Sequence, residues 1–107
     1  MKVLFDENVP APLRRLLTLH QVTTVQGQSW QGISNGELVR LAETCFDVLL
    51  LADKNLRYQQ NLVGRRLALV ELPTNRWPIV KAPSPRIQAA VDQAQPGSYP
   101  VIELPAA

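Results

Sequence analysis

The sequence predicts a three-layer α/β domain, with an open, mostly parallel sheet and helices on both of its faces. Two observations favour this class. Short apolar runs of strand length alternate with segments that have helical spacing. The run at residues 47–51 is too uniformly apolar for a half-exposed strand, which is typical of strands covered on both faces in parallel sheets. Right-handed crossovers then give the strand order 2-1-3-4, with a fifth strand unplaced.

Strands and helices alternate in the first half of the chain. Pro10 and Pro12 suit the first turn of a helix, where a missing N–H does no harm. Ser34, with Glu37 three residues later, forms a capping-box pattern that opens the clearest helix of the chain. The predicted elements are a strand at 2–5, a helix at about 10–18, a strand at 21–25, a helix opened by Ser34 and a strand at 47–51.

Prolines divide the second half of the chain. Pro83 and Pro85 exclude an unbroken helix from Trp77 to Asp92. Pro100 cannot donate to a central ladder, so the last strand is expected at a sheet edge. The predicted elements are a helix at about 54–61, a strand at 66–72, a helix at about 85–94 and an edge strand at 99–104.

Length and composition fit one compact domain, residues 1–107. The chain is 46% hydrophobic, and it has neither an N-terminal leader pattern nor an apolar run long enough to span a bilayer. These features predict a cytoplasmic protein without a membrane segment. Cys45 is the sole cysteine and falls on an apolar helix stripe, which predicts core packing. His20, also alone, is expected at a helix end or on the surface.

Positive charge is concentrated in the middle of the sequence. Residues 54–86 contain seven basic residues and one acid, Glu71, whereas residues 1–53 and residues 87–107 each carry a net charge of −2. This asymmetry is compatible with a bound polyanion, and equally with a solvated basic face.

Acidic side chains follow two of the apolar strands. Asp6 comes after the first strand and Asp53 after the third, and in the order 2-1-3-4 these strands flank the point where strand order reverses, which is the usual ligand crevice. Neighbouring strands lie about 4.8 Å apart, so the two carboxylates can share one cation. Glu37 begins a helix that leads into the third strand, so it is expected at the same edge. Hard oxygen ligands favour Mg²⁺ or Mn²⁺.

Structural roles are the alternative for each of these residues. Asp53 would cap the helix that follows it, Glu37 would close the capping box, and Asn8 would cap the first helix. Asp6 differs from these residues, because it follows a core strand and a capping role would not explain the second acid, Glu7, beside it. Because three acids are expected at one edge, we favour the metal site.

Three stretches resemble the small PIN-like domains that are often described as toxin components of toxin–antitoxin pairs. They are "MKVLFDENVP", "NGELVRLAE" and "DVLLLADKNLR", and the resemblance covers about residues 1–72. It implies a metal-dependent ribonuclease in which Asp6, Glu37 and Asp53 are the catalytic and metal-binding acids. Relatives frequently have Thr or Ser before the last acid and Asp two residues after it, where this chain has Leu51 and Asn55.

The reaction expected from this resemblance is metal-assisted hydrolysis of single-stranded RNA. Trp30 and Trp77, both expected in loops at the carboxyl edge, are candidates for base stacking, with core packing expected for at least one of them. An antitoxin protein is the expected protein partner, and a homodimer is also compatible with the sequence. The residues expected to contact substrate are Asn8, Arg14, Lys54, Asn55 and Arg57.

Two other classes of function compete with the nuclease. In a non-catalytic partner-binding domain, the acids would serve only as caps and the basic segment would dock an acidic protein. Acids after the first and third strands also suit an aspartyl phospho-acceptor domain. We rank that function lower because no well-placed lysine follows a fifth strand.

Overall fold

The computed structural model describes residues 1–52 and 65–103, and the helix predicted at 54–61 lies outside them. The elements in chain order are β1 (Lys2–Phe5), a 3₁₀ helix (Ala11–Leu16), β2 (Gln21–Thr24), α1 (Asn35–Cys45), β3 (Val48–Leu51), β4 (Ala68–Glu71), α2 (Trp77–Val80) and α3 (Ser84–Asp92).

The four strands form one parallel sheet in the order β2-β1-β3-β4. Leu4 of β1 is level with Thr23 of β2 on one side and with Leu49 of β3 on the other, and Leu49 is level with Leu69 of β4. The predicted fold class and strand order are therefore confirmed.

Both faces of the sheet are covered, which makes the three layers. On one face Leu4, Leu49 and Leu69 pack in a core with Val39 and Ala42 of α1. The apolar period of α1 explains its position, because residues three and four apart share one side of a helix.

The opposite face carries a second core. Phe5 and Leu50 of the sheet pack there with Leu13 of the 3₁₀ helix and with Ile87 and Val91 of α3. Leu50 is fully buried at the centre of this arrangement.

The first predicted helix differs from the expectation in detail. The first helix is a 3₁₀ helix, in which the amide of Leu13 donates to the carbonyl of Pro10 over three residues. In the second half, the prolines divide the helical region into α2 and α3, as their positions predict.

The predicted fifth strand lies beside β4 but makes only one β-bridge, between Glu71 and Val101. The amides of Leu69 and Glu71 donate to the carbonyls of Ser98 and Pro100, which holds the segment at the sheet edge. Pro100 has no N–H to return, and this limits the ladder. Among the described residues, no helix has the length and apolar character needed to cross a bilayer.

Candidate functional site

Asp6 is the first residue beyond β1, at the carboxyl edge of the sheet. Its amide donates to the carbonyl of Leu50 at 3.0 Å, so Asp6 extends the ladder between β1 and β3 by one residue. Its Oδ1 accepts a hydrogen bond from the amide of Glu7 at 2.8 Å, and its side chain is half-buried. The backbone therefore fixes this carboxylate beside the end of β3.

The strand order places Asp6 at the point of the sheet where ligands bind in this architecture. From β1 the chain goes to β2 on one side, and β3 and β4 lie on the other, so the crevice is between β1 and β3. The described chain follows β3 as far as Ala52. The other predicted site residues in this stretch lie outside the described residues: Asp53, Lys54, Asn55 and Arg57.

Glu37 lies in the first turn of α1, whose N-terminus the fold directs toward the same edge. Cys45 ends α1 three residues before β3 begins, and Glu37 is about 12 Å back along the helix, roughly the length of β3. The amide of Glu37 donates to Ser34 Oγ at 3.4 Å, which confirms Ser34 as the N-cap. The carboxylate of Glu37 forms an ion pair with Arg40, one turn further along the helix.

Glu7 has a structural contact that explains the second acid of the motif. Its Oε1 accepts a hydrogen bond from the amide of Gly32 at 2.8 Å, which ties the loop before α1 to the turn after β1. Gly32 has a φ of +81°, a conformation that glycine adopts without strain. This bond draws the N-terminal end of α1 toward Asp6.

Asn8 and Arg14 are both exposed. The N-cap of the 3₁₀ helix is Pro10, and no side chain caps it, so the alternative role of Asn8 as a cap is wrong. Arg14 lies in the last turn of the 3₁₀ helix. Substrate contact stays a prediction for both residues.

Glu71 is a buried acid that sequence reasoning did not select. It is the last residue of β4, is level with Leu51 and is 1% exposed. The hydroxyl of Tyr99 donates to Glu71 Oε1 at 3.1 Å. Its position at the end of an apolar strand, like that of Asp6, was the signal in the sequence.

The carboxyl edge offers oxygen donors, whereas softer donors lie elsewhere. His20 and Cys45, the only imidazole and thiol of the sequence, line a polar cavity of about 590 Å³ at the amino edge of the sheet. Carboxylates without thiolate or imidazole suit Mg²⁺ or Mn²⁺. Within ranges 1–52 and 65–103, no three His, Cys, Asp or Glu residues are grouped closely enough to hold a metal ion. In kind, the acids at the edge fit the predicted ion, and Asp53, the other predicted ligand, lies outside the described residues.

The predictions for His20 and Cys45 were wrong. Cys45 is exposed, because it is the last residue of α1 and extends past the sheet. The side chain of His20 is only 7% exposed, and its Nε2 donates to Asp92 at 2.6 Å. His20 thus joins the start of β2 to the end of α3, which is a structural role.

The two tryptophans pack against the cores. Trp30 lies in a loop, as expected, and meets Phe46 edge to face, with ring centroids 6.2 Å apart. Trp77 begins α2 rather than lying in a loop, and it packs against the core beneath α3. The predicted core role is confirmed, and base stacking by either ring has no support from these contacts.

Comparison with protein-family models, with curated proteins and with solved structures gives no match to this chain. The fold and the edge acids define a three-layer parallel α/β domain with a carboxylate at its topological switch point.

Proposed function

We propose that this chain is a divalent-metal-dependent ribonuclease of the PIN-like kind, acting in the cytoplasm on single-stranded RNA. One observation carries the proposal. Asp6 is held by backbone hydrogen bonds at the switch point, directly beside β3, and Asp53 follows Ala52 in the sequence. Two acids after neighbouring central strands would both supply carboxylate oxygens to one shared hard cation.

The residues have distinct roles in this proposal. Asp6 and Asp53 hold the ion, and Glu37 acts as a third ligand or as an acceptor that orients the attacking water. Arg40 forms an ion pair with Glu37 and positions that carboxylate on α1. When bound, Mg²⁺ or Mn²⁺ supplies charge stabilisation at the phosphoryl oxygens and a more acidic water. Arg14 is exposed in the last turn of the 3₁₀ helix and is proposed to contact a backbone phosphate.

Metal-dependent cleavage is the direct test. A labelled single-stranded RNA should be cut by the protein in Mn²⁺ or Mg²⁺, and the products should disappear when EDTA replaces the metal. Cleavage that persists in EDTA would contradict the proposal, because the proposed route requires a bound divalent ion. Cleavage by a contaminating nuclease is excluded by the Asp6→Asn and Asp47→Asn variants described in the Discussion.

A non-catalytic binding domain is the second candidate, and two contacts favour it. Glu7 accepts a hydrogen bond from the amide of Gly32, and Glu37 forms an ion pair with Arg40. Two of the edge acids therefore already have structural partners. In that case the acids would hold the loops rather than an ion.

Thermal unfolding with and without Mn²⁺ separates the two candidates. Ligand at about 100 times its Kd stabilises a protein by about 2.7 kcal/mol, so the nuclease should melt several degrees higher with Mn²⁺. Asp6→Asn should lose this rise. Asp47→Asn, the same substitution at the amino edge, should keep it. Equal behaviour of wild type with and without Mn²⁺ would favour the binding domain.

A further inference from the structure

Positive charge is separated between the two helical layers of the fold. The layer formed by the 3₁₀ helix, α2 and α3 contains one acid, Asp92, within residues 11–16 and 76–92. In the described part of the opposite layer, α1 has two acids and one base. The basic face is defined here as the exposed cations of the first layer: Arg14, Arg15, Arg76, Lys81 and Arg86.

This face is not the basic segment that the sequence shows. Arg14 and Arg15 join it from the first half of the chain. Arg65 is not part of the face, because it forms an ion pair with Glu43 of α1 at 2.8 Å on the other side of the sheet. Arg66 lines the cavity at the amino edge. The fold therefore assembles a new set of cations from distant parts of the sequence.

Among the described residues, no acid forms an ion pair with a cation of the basic face. In the described part of the chain, the ion pairs are His20–Asp92, Arg40–Glu37 and Arg65–Glu43. Arg86 donates to a backbone carbonyl, that of Glu103, at 3.4 Å. Such uncompensated exposed cations create a positive potential that attracts polyanions.

The face also lies toward the proposed cutting edge. Arg76 comes five residues after the end of β4, and α3 then runs back until Asp92 meets His20 at the amino edge. The one acid of the layer is thus at its far end. Arg76, Lys81 and Arg86 lie in the part of the layer that is nearer to the carboxyl edge, and Arg14 and Arg15 lie in the last turn of the 3₁₀ helix.

We propose that the basic face binds the phosphate backbone of RNA and docks the substrate beside the site. Four of its five cations are arginines, whose planar guanidinium groups match phosphate oxygens in pairs. The inference rests on the proposed function for the choice of RNA as the polyanion. It adds a docking surface that the edge acids do not provide.

The composition of the face favours a phosphate backbone over an acidic protein. Protein interfaces need an apolar, desolvated centre. Among the large apolar residues of this layer, Ile79 is exposed, and only to 37%. Trp77 is packed against the core. Contacts to phosphates alone give binding that is strongly salt-dependent and insensitive to sequence.

Fluorescence anisotropy in EDTA tests this surface without cleavage. The probe is a labelled single-stranded RNA of about 20 nucleotides. Each lost phosphate contact should reduce the slope of log Kd against log salt by about 0.7. Arg76→Ala/Arg86→Ala removes two contacts and should therefore reduce the slope by about 1.4. At about 0.1 M salt this change corresponds to about 25-fold weaker binding. Lys2→Ala/Arg66→Ala removes the same charge from the amino edge and should change Kd by less than about threefold.

Three results would overturn the proposal. The first is no RNA binding by wild type, and the second is an equal loss of RNA affinity in the two double variants. The third is that Arg76→Ala/Arg86→Ala keeps its affinity for RNA and loses affinity only for a labelled polyglutamate peptide of equal length. The last result would assign the face to an acidic protein. The nuclease proposal and the docking proposal can fail separately. A protein that binds RNA through this face but does not cleave it in Mn²⁺ would support the docking surface and contradict the nuclease activity.

Discussion

Replacing Asp6 with asparagine is expected to lower the rate of RNA cleavage by at least about 100-fold. Asparagine keeps the size of the side chain and an oxygen that still accepts the hydrogen bond from the amide of Glu7. It removes the negative charge that would hold a divalent ion at the end of β1. Metal ions contribute several kcal/mol of transition-state stabilisation, and each 1.36 kcal/mol is a factor of ten in rate. The measurement is the initial rate of cleavage of labelled RNA in Mn²⁺.

Asp47→Asn is the matched control for this prediction. Asp47 accepts a hydrogen bond from the amide of Lys2 at 2.8 Å, precedes β3 and lies at the opposite edge of the sheet. Removal of the negative charge of Asp47 should leave the cleavage rate within about twofold of wild type, since a distant exposed charge is screened beyond about 10 Å. Equal activity of Asp6→Asn and wild type would mean that the cleavage comes from another protein in the preparation.

The largest loss of stability is expected from Leu50→Ala. Leu50 is fully buried on β3, in the core with Phe5, Leu13 and Ile87. Truncation of a buried leucine removes apolar contacts and leaves a cavity, which costs about 3 kcal/mol or more. For a domain with a total stability of about 5–15 kcal/mol, this loss should lower Tm by roughly 12 °C. Chemical denaturation and calorimetry measure the change.

Leu19→Ala provides the comparison, because the side chain of Leu19 is 80% exposed. Its free energy of unfolding should stay within about 0.5 kcal/mol of wild type. A similar loss in both variants would show that the sheet centre is not the main core. Retention of Tm in Leu50→Ala would contradict the packing described around β3.

The edge acids show how far the sequence reaches into the site. Asp6 could be placed from the sequence because a strand end at the switch point depends only on strand order, which apolar runs and crossover rules determine. Glu37 could be placed at the same edge because Ser34 marks the helix start. The contact of Glu7 with Gly32 was not predictable, since a hydrogen bond across 25 positions depends on how two loops meet.

Single residues of high chemical interest were the least predictable. Cys45 falls on an apolar stripe, yet it is exposed because the helix extends past the sheet. His20 looks like a helix-terminal residue, yet its side chain is buried against Asp92, 72 positions away. Periodicity describes which side of a helix is apolar, but it does not say where the neighbouring layer ends.

By itself the sequence determined the parallel sheet, its strand order and the N-cap of α1, because these depend on local spacing and on the handedness of connections. Only the tertiary structure decided which charges share a surface. It buried Glu71 under Tyr99, paired Arg65 with Glu43, and joined Arg14 and Arg15 to the cations of α2 and α3. The physical reason is that Coulomb interactions depend on distance in space, and packing of the layers sets that distance.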